Sequence, residues 1–93
     1  MAARPVAKGR GWIGRRPSPG QALILVNARQ VHTFGMKVPI DVVFCDARWD
    51  VLHVARHLSS KRITKWVRRA RYVIELPAGT AQGLERGQRL SVS

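Results

Sequence analysis

Two acidic residues, Asp41 and Glu75, each stand inside a run of Val, Ile and Leu. A carboxylate is costly to bury among such residues unless it accepts hydrogen bonds or pairs with a cation. Two interpretations of how this happens stay open. In the first, the two acids accept backbone N–H groups from the turns at 35–38 and 77–79. In the second, they help to line a small polar pocket for a ligand, whose candidate residues are His32, Thr33, Met36, Asp41 and Glu75.

The other residues with reactive side chains form no pattern typical of catalysis. His53 and His57 are four residues apart in a strand-like segment, so they lie about 13 Å apart and cannot chelate one metal ion. Cys45 is the one cysteine, and the apolar run before it favours a buried, inert thiol over a nucleophile. The sequence therefore predicts no catalytic residue, no metal site and no cofactor, and it favours a binding function over an enzymatic one.

Positive charge is the strongest compositional feature of the chain. Lys and Arg number 17 against 5 Asp and Glu, which gives a net charge of +12. Such an excess favours polyanions, either nucleic acid or an anionic membrane surface. An Arg-rich composition also arises from a GC-rich coding bias without any binding partner, so both explanations stay open.

Two basic clusters each contain a tryptophan, Trp12 in one and Trp66 in the other. Cations beside an exposed aromatic ring can contact phosphates while the ring stacks on a base. Packing of each Trp in the core, with solvated cations around it, is the competing interpretation. The alternative to the polar pocket is thus a nucleic-acid-binding module built from the N-terminal arm and the 57–71 segment, with candidate residues Arg15, Arg16, Lys65, Arg68 and Arg69.

Glycine, proline and charge divide the chain into two parts. Residues 1–20 contain five cations, four Gly and three Pro, and no acid. Because glycine and proline weaken helices, we expect a flexible basic arm there, with at most one helical turn around 6–13. Residues 21–93 are expected to form a single compact β-rich domain.

Short apolar runs bounded by turn residues predict six strands in this domain. They are expected over 22–26, 31–36, 40–45, 50–56, 71–76 and 89–92. A hairpin turn is expected at Asp46–Trp49, an irregular and mobile connection over 57–69, and a short helix over 81–84. The expected fold class is α+β, predominantly antiparallel β, as a small barrel-like or half-barrel sheet with one or two short helices.

The apolar run near the N-terminus, Ala22–Val26, is too short for a signal-peptide core or a membrane span. A lone cysteine excludes an intramolecular disulfide, so an oxidising compartment is not required. We therefore expect a cytoplasmic protein without a transmembrane segment.

Three sequence blocks are distinctive: V-H-T-F-G-M-K-V-P-I-D-V-V-F from Val31, Y-V-I-E-L-P-A-G from Tyr72 and G-L-E-R-G-Q-R-L from Gly83. In order and spacing they resemble domain-of-unknown-function family 192, a set of small bacterial and archaeal proteins. The resemblance covers about residues 11–92. It implies a small barrel-like antiparallel sheet with short helices, and it implies no substrate.

The chain departs from the pattern of this family in three places. Asn27-Ala28 stand where members commonly carry Pro-Cys, and Arg48-Trp49 replace the usual glycine of the hairpin turn. The strand and most of the helix that members carry upstream of Gly11 are expected to be missing or degraded here. Their loss would leave one sheet edge uncovered, available to a second copy of the chain or to a partner strand.

Overall fold

The computed structural model describes residues 4–6, 22–34 and 38–90, with the backbone alone for 4–6. They form a five-stranded sheet from β1 (Arg4–Val6), β2 (Leu23–Val26), β3 (Ile40–Cys45), β4 (Val51–Leu58) and β5 (Tyr72–Pro77). The order across the sheet is β1-β2-β5-β3-β4. Strands β2 to β5 pair antiparallel, and β1 lies parallel to β2. Since β1 and β4 are the two edges, the sheet is open.

The sheet separates two apolar clusters, one on each face. The first core includes Leu25, Val42, Phe44 and Val73, and the second core includes Ile24, Val43, Ile74 and Leu76. All six residues of β3 are buried, because this strand has a neighbour on each side and a core on each face. Nearly continuous apolar runs, broken by Asp41 in β3 and Glu75 in β5, therefore build the inner strands, as expected for strands that meet no water on either face.

Two irregular segments cover these cores. Residues 28–34 run beside 61–70 over the first core. Backbone hydrogen bonds join the two stretches, with the N–H of Val67 donating to the carbonyl of Arg29 at 2.8 Å. Residues 78–90 cover the second core, to which they contribute Ala81, Leu84 and Leu90. We call residues 61–71 the basic segment, because six of them are Lys or Arg.

The predicted hairpin turn joins β3 to β4. The carboxylate of Asp46 accepts the N–H groups of Arg48 at 2.9 Å and Asp50 at 3.0 Å. Trp49 has a φ of 66°, a left-handed conformation that bulky residues rarely adopt. Its indole stacks on the ring of Tyr72, with centroids 4.0 Å apart and planes 4° apart. The turn thus forms without the glycine of the family pattern, and ring stacking offsets part of the backbone cost.

The helix predicted over 81–84 is wrong, because this stretch is a series of turns. Within residues 22–34 and 38–90 the structure contains no helix. Gly79, two residues before the stretch, and Gly83, within it, have φ of 91° and 89°, in the left-handed conformation. A helix needs a continuous run of right-handed residues, and these glycines interrupt it.

Four predicted strands are confirmed to within two residues at each end, namely 22–26, 40–45, 50–56 and 71–76. The strand predicted over 31–36 is wrong for 31–34, where a single bridge joins His32 to Ile63. Its partner is the irregular basic segment, so a longer ladder cannot form. The last predicted strand is likewise a single bridge, between Arg89 and Asp50, and residues 91–92 lie outside the described part of the chain.

The strand expected to be missing or degraded upstream of Gly11 is present as the three-residue β1, so it is not missing. In β1, Pro5 pairs with Ile24, and this covers the outer edge of β2. The rest of the predicted arm, residues 1–3 and 7–20, lies outside the described residues, together with most of the predicted helical turn.

The expected predominance of antiparallel pairing is confirmed. A barrel-like closure is not found, because the described edges β1 and β4 do not pair with each other. Across the described ranges, no helix has the length and apolar character needed to cross a membrane.

Candidate functional site

Three backbone N–H groups bind the carboxylate of Asp41, which is fully buried in β3. One carboxylate oxygen accepts the N–H of His57 at 2.9 Å, and the other accepts those of Gly79 and Ala81, also at 2.9 Å. These bonds tie β4 and the turn after β5 to the centre of the sheet. For Asp41, the structural interpretation with the 77–79 turn as donor is confirmed.

The bond to His57 accounts for a bulge in β4. Ile40 pairs with Leu58 and Val42 with Ala55, so two residues of β4 lie opposite Asp41. One of them, His57, has a φ of 51°, a conformation that costs free energy in a non-glycine residue. By binding the His57 N–H, the carboxylate stabilises this strained position.

Glu75 does not share a site with Asp41. Directly paired residues of antiparallel strands point to the same face, and successive residues point to opposite faces. Asp41 pairs with Leu76 of the second core, whereas Glu75 pairs with Val42 of the first core. The two carboxylates project from opposite faces, so the predicted pocket that both would line is not formed. A ligand contact by either residue alone stays a prediction.

The other members of that set are also separated. Thr33 is fully buried, and its hydroxyl donates to the carbonyl of Ser59 at 2.6 Å and accepts the N–H of Arg62 at 2.8 Å. His32 is exposed, and Met36 lies outside the described residues. Thr33 therefore holds the start of the basic segment in place and does not face an open site.

A cleft of about 510 Å³ opens beside β4. It is lined by Leu52, Lys65, Trp66, Val67, Arg68, Arg69 and Arg86. Three of the predicted nucleic-acid-binding residues, Lys65, Arg68 and Arg69, are thus brought together. None of the described lining residues is acidic. We call this feature the basic cleft.

Arg86 reaches the basic cleft from the segment that covers the opposite face. This segment, residues 78–90, returns to the first residue of β4, where the N–H of Gly87 donates to the carbonyl of Val51 at 2.9 Å. No sequence pattern indicates a role for Arg86, which stands alone in a turn, far along the chain from the basic segment. The glycines on both sides of it indicate a turn but not where the turn lies.

The acidic residues leave the basic cleft without a matching counter-charge. Two of the five, Asp41 and Glu75, are buried. Two more belong to the β3–β4 turn, where one binds backbone N–H groups and the other pairs with Arg89 at 2.8 Å. The fifth, Glu85, is exposed and lines a smaller recess of about 280 Å³ that adjoins the cleft at Lys65. Four cations of the cleft therefore face at most one neighbouring acid.

The two described tryptophans differ in their surroundings. Trp49 is half-buried and stacked on Tyr72, so it packs the second core. Trp66 lies in the wall of the basic cleft and is 62% exposed. Within the described residues no aromatic ring stacks on it. One face of an indole is therefore open to solvent among four cations.

The remaining candidates add no second site. Cys45 is buried in the second core, and burial, followed by the charges of Asp46 and Asp50, raises its pKa to about 12. Such a thiol is almost entirely protonated near neutral pH, in agreement with the inert role predicted for it. Arg15 and Arg16 lie outside the described residues. In the described part of the chain, no three His, Cys, Asp or Glu residues are grouped to hold a metal ion.

Two solved structures share this fold. One is a protein of unknown function from Novosphingobium aromaticivorans, with a TM-score of 0.81, 14% sequence identity, and coverage of 94% of this chain and 71% of that chain. The other, from Sinorhizobium meliloti, is named a "putative transcription regulator" and has a TM-score of 0.80, 19% identity, and coverage of 96% and 79%. At these identities the likeness shows the fold alone. No protein of curated function matches the chain.

The family comparison covers almost the entire chain. The model of DUF192, described as "Uncharacterized ACR", matches residues 1–92. This range includes all five strands and the three distinctive blocks that begin at Val31, Tyr72 and Gly83. The resemblance is therefore confirmed, and the chain belongs to domain-of-unknown-function family 192.

Proposed function

We propose that this protein binds nucleic acid in the basic cleft, where phosphate groups contact Lys65, Arg68, Arg69 and Arg86. The observation that carries the proposal is that two separate segments bring four cations to one open cleft whose described lining contains no acid. Like charges held together repel each other and lower the stability of the folded state. An anionic partner supplies the counter-charge that the protein lacks there.

Nucleic acid fits this cleft better than a single small anion does. A phosphate backbone carries regularly spaced charges, and each neutralised phosphate releases a condensed counterion, which favours binding. The net charge of +12 adds long-range attraction for any such polymer. The basic segment is also held firmly, because the N–H of Thr64 donates to the carbonyl of Val31 at 2.9 Å and the N–H of Arg71 to that of Cys45 at 2.8 Å.

One comparison supports the choice of nucleic acid as the first ligand to test. The structural neighbour from Sinorhizobium meliloti bears the name "putative transcription regulator". At 19% identity that name describes that protein, and it contributes a direction for the experiment but no residue role here.

Binding of labelled DNA and RNA oligonucleotides, followed by fluorescence anisotropy over a series of salt concentrations, tests the proposal. Contact with about four phosphates predicts a slope of log K against log salt of roughly −3 to −4. The expected result is tight binding at low salt that weakens steeply towards physiological salt. Undetectable binding at the lowest salt concentration would contradict the proposal.

A matched pair of variants locates the site. Arg68→Gln with Arg69→Gln removes two cations from the basic cleft, while Arg48→Gln with Arg71→Gln removes two exposed cations outside its lining. Both variants lower the net charge equally. We expect the first to weaken binding roughly tenfold or more and to reduce the salt slope by about two, and the second to change affinity less than about threefold. Equal losses would show that overall charge, and not the cleft, is responsible.

A further inference from the structure

We infer that the basic cleft takes single-stranded nucleic acid in preference to a duplex, with a base stacked on the indole of Trp66. This inference rests on the proposed function and specifies the form of nucleic acid bound. It comes from the position of one exposed aromatic ring among the cations of the cleft.

Trp66 is displayed at the surface by a backbone that is fixed on both sides. Its neighbour Val67 is buried, and the Val67 N–H donates to the carbonyl of Arg29 at 2.8 Å. On the other side, buried Thr64 accepts the N–H of Val31 on its hydroxyl at 2.9 Å. Since Thr64 and Val67 are both buried, the chain on either side of Trp66 is fixed, and the Trp66 side chain is left 62% exposed. Little backbone ordering is then needed when a base stacks on the ring.

The surroundings of Trp66 provide both kinds of contact that a nucleotide needs. Lys65 precedes it and Arg68 follows two residues later, and both line the same cleft. In a nucleic-acid strand every base lies between two phosphates, so cations on either side of a stacking ring match that arrangement. The cleft volume of about 510 Å³ is in the usual range for sites that bind small organic ligands, which leaves room for a base with its sugar.

A single strand can stack a base on the indole of Trp66, whereas an intact duplex cannot. The bases of a duplex are stacked on one another and paired, so stacking on Trp66 would first require one to be flipped out. A single strand offers base faces without that cost. Stacking on an aromatic side chain is tolerant of sequence, so we expect little preference among bases, and RNA and DNA single strands are both ligands.

Anionic peptides and anionic membranes also attract cations, but in neither does each repeating unit place a flat aromatic group between two charges, as each nucleotide of a strand does. The observations thus favour a nucleic-acid strand. Binding to a membrane surface, or to any polyanion without stacking, is an outcome that the vesicle and polyphosphate probes distinguish.

The experiment compares four probes with the full chain: a single-stranded oligonucleotide, the duplex of the same sequence, inorganic polyphosphate, and vesicles containing anionic lipid. The variants are Trp66→Ala and Trp66→Phe, with Phe34→Ala as a control that removes an exposed aromatic ring outside the cleft lining. Thermal unfolding of each variant verifies that it is folded. Because Trp66 is largely exposed, its replacement is expected to leave the melting temperature nearly unchanged.

We expect Trp66→Ala to weaken single-strand binding roughly tenfold, and to change duplex and polyphosphate binding less than about twofold. Trp66→Phe should retain most of the affinity for the single strand, and Phe34→Ala should not weaken it. Quenching of the tryptophan fluorescence by the single strand should be reduced in Trp66→Phe.

The failures are distinguishable. If no polyanion binds at low salt, the proposed function itself is wrong. If polyphosphate, duplex and single strand bind equally and Trp66→Ala affects none of them, binding through phosphates stands and the stacking inference is overturned. Stronger binding to vesicles than to any nucleic acid, weakened by Trp66→Ala, would overturn both in favour of a membrane surface.

Discussion

Asp41 and the basic cleft are both charged regions of the molecule, but they differ in solvent exposure and in the partners of their charges. At Asp41 a single buried carboxylate receives three N–H donors at 2.9 Å. At the cleft, four cations lie together with no acid in the described lining. The first charge is satisfied within the protein, whereas the second has no acidic neighbour in the described lining.

Solvent explains the difference. A carboxylate with 0% exposure has lost its water, so the folded chain must replace those hydrogen bonds or lose several kcal/mol, on the order of the penalty for an unpaired buried charge. The cations of the cleft keep their water, so their lack of partners costs little in stability. A charge inside a strand therefore indicates a structural contact, whereas exposed cations need no partner within the protein, and their cluster is compatible with the proposed binding of an anion.

The largest expected effect is at Asp41. Asp41→Asn replaces one acceptor oxygen by an NH₂ group, which must then face an N–H donor. We expect a loss of about 2–4 kcal/mol in the free energy of unfolding, measured by urea denaturation, because at least one donor is left without an acceptor. The control is Glu85→Gln, the same chemical change on an exposed residue, with an expected change within about 0.5 kcal/mol. Similar values for both variants would contradict the structural role of Asp41.

The second effect concerns the anchoring of the basic segment. Thr33→Val keeps the shape of a fully buried side chain but removes the hydroxyl that binds Ser59 and Arg62. We expect a loss of about 1–3 kcal/mol in stability, because a backbone donor and a backbone acceptor each lose a partner. Thr80→Val, at an exposed position, should cost less than about 0.5 kcal/mol. An unchanged urea midpoint in Thr33→Val would show that the segment is held by other contacts.

Removing charge from the cleft should raise the free energy of unfolding, whereas removing the charge of Asp41 should lower it. In Arg68→Gln with Arg69→Gln, repulsion among the cations decreases, so we expect stability at low salt to rise by a few tenths of a kcal/mol, on the order measured for exposed charge pairs. The gain should vanish at about 1 M salt, where the screening length is roughly 3 Å. A marked loss of stability would mean that these cations have partners within the protein.

The smallest effect is a dependence on acidic pH at the β3–β4 turn. The side-chain hydrogen bond from Arg89, together with the charges of Arg89 and Arg48, holds the pKa of Asp50 below its ordinary value of 3.8, against a smaller opposing effect of burial. A lowered folded-state pKa stabilises the fold above that ordinary value, and the contribution is lost as the pH falls through the folded-state pKa. Arg89→Gln should therefore flatten the decline of stability below about pH 4. Identical pH profiles for the two proteins, measured by urea unfolding, would contradict this contact.

Much of the sheet could be predicted because its signal is local. The runs around Ile24, Val43 and Ile74 are apolar apart from Asp41 and Glu75, and near-continuous apolar runs of this length are typical of strands buried on both faces. The need of Asp41 for hydrogen-bond donors was also predictable, because the cost of burying a carboxylate does not depend on the fold. The turns over 81–84 were not predictable, since glycine adopts left- and right-handed conformations about equally readily and the sequence does not show that Gly83 takes the left-handed one.

Sequence alone determined that two acids would be buried in strands, that Cys45 would be an inert core residue and that cations would surround Trp66 in one irregular segment. Tertiary structure decided which charges meet. The register of β3 against β5 sets Asp41 opposite Leu76 and so puts Glu75 on the other face, and the return of the 78–90 segment to β4 brings Arg86 to Lys65 and Arg68. Burial and alternation are properties of neighbouring residues, whereas register and covering segments depend on pairings between residues far apart in the chain, which no local pattern contains.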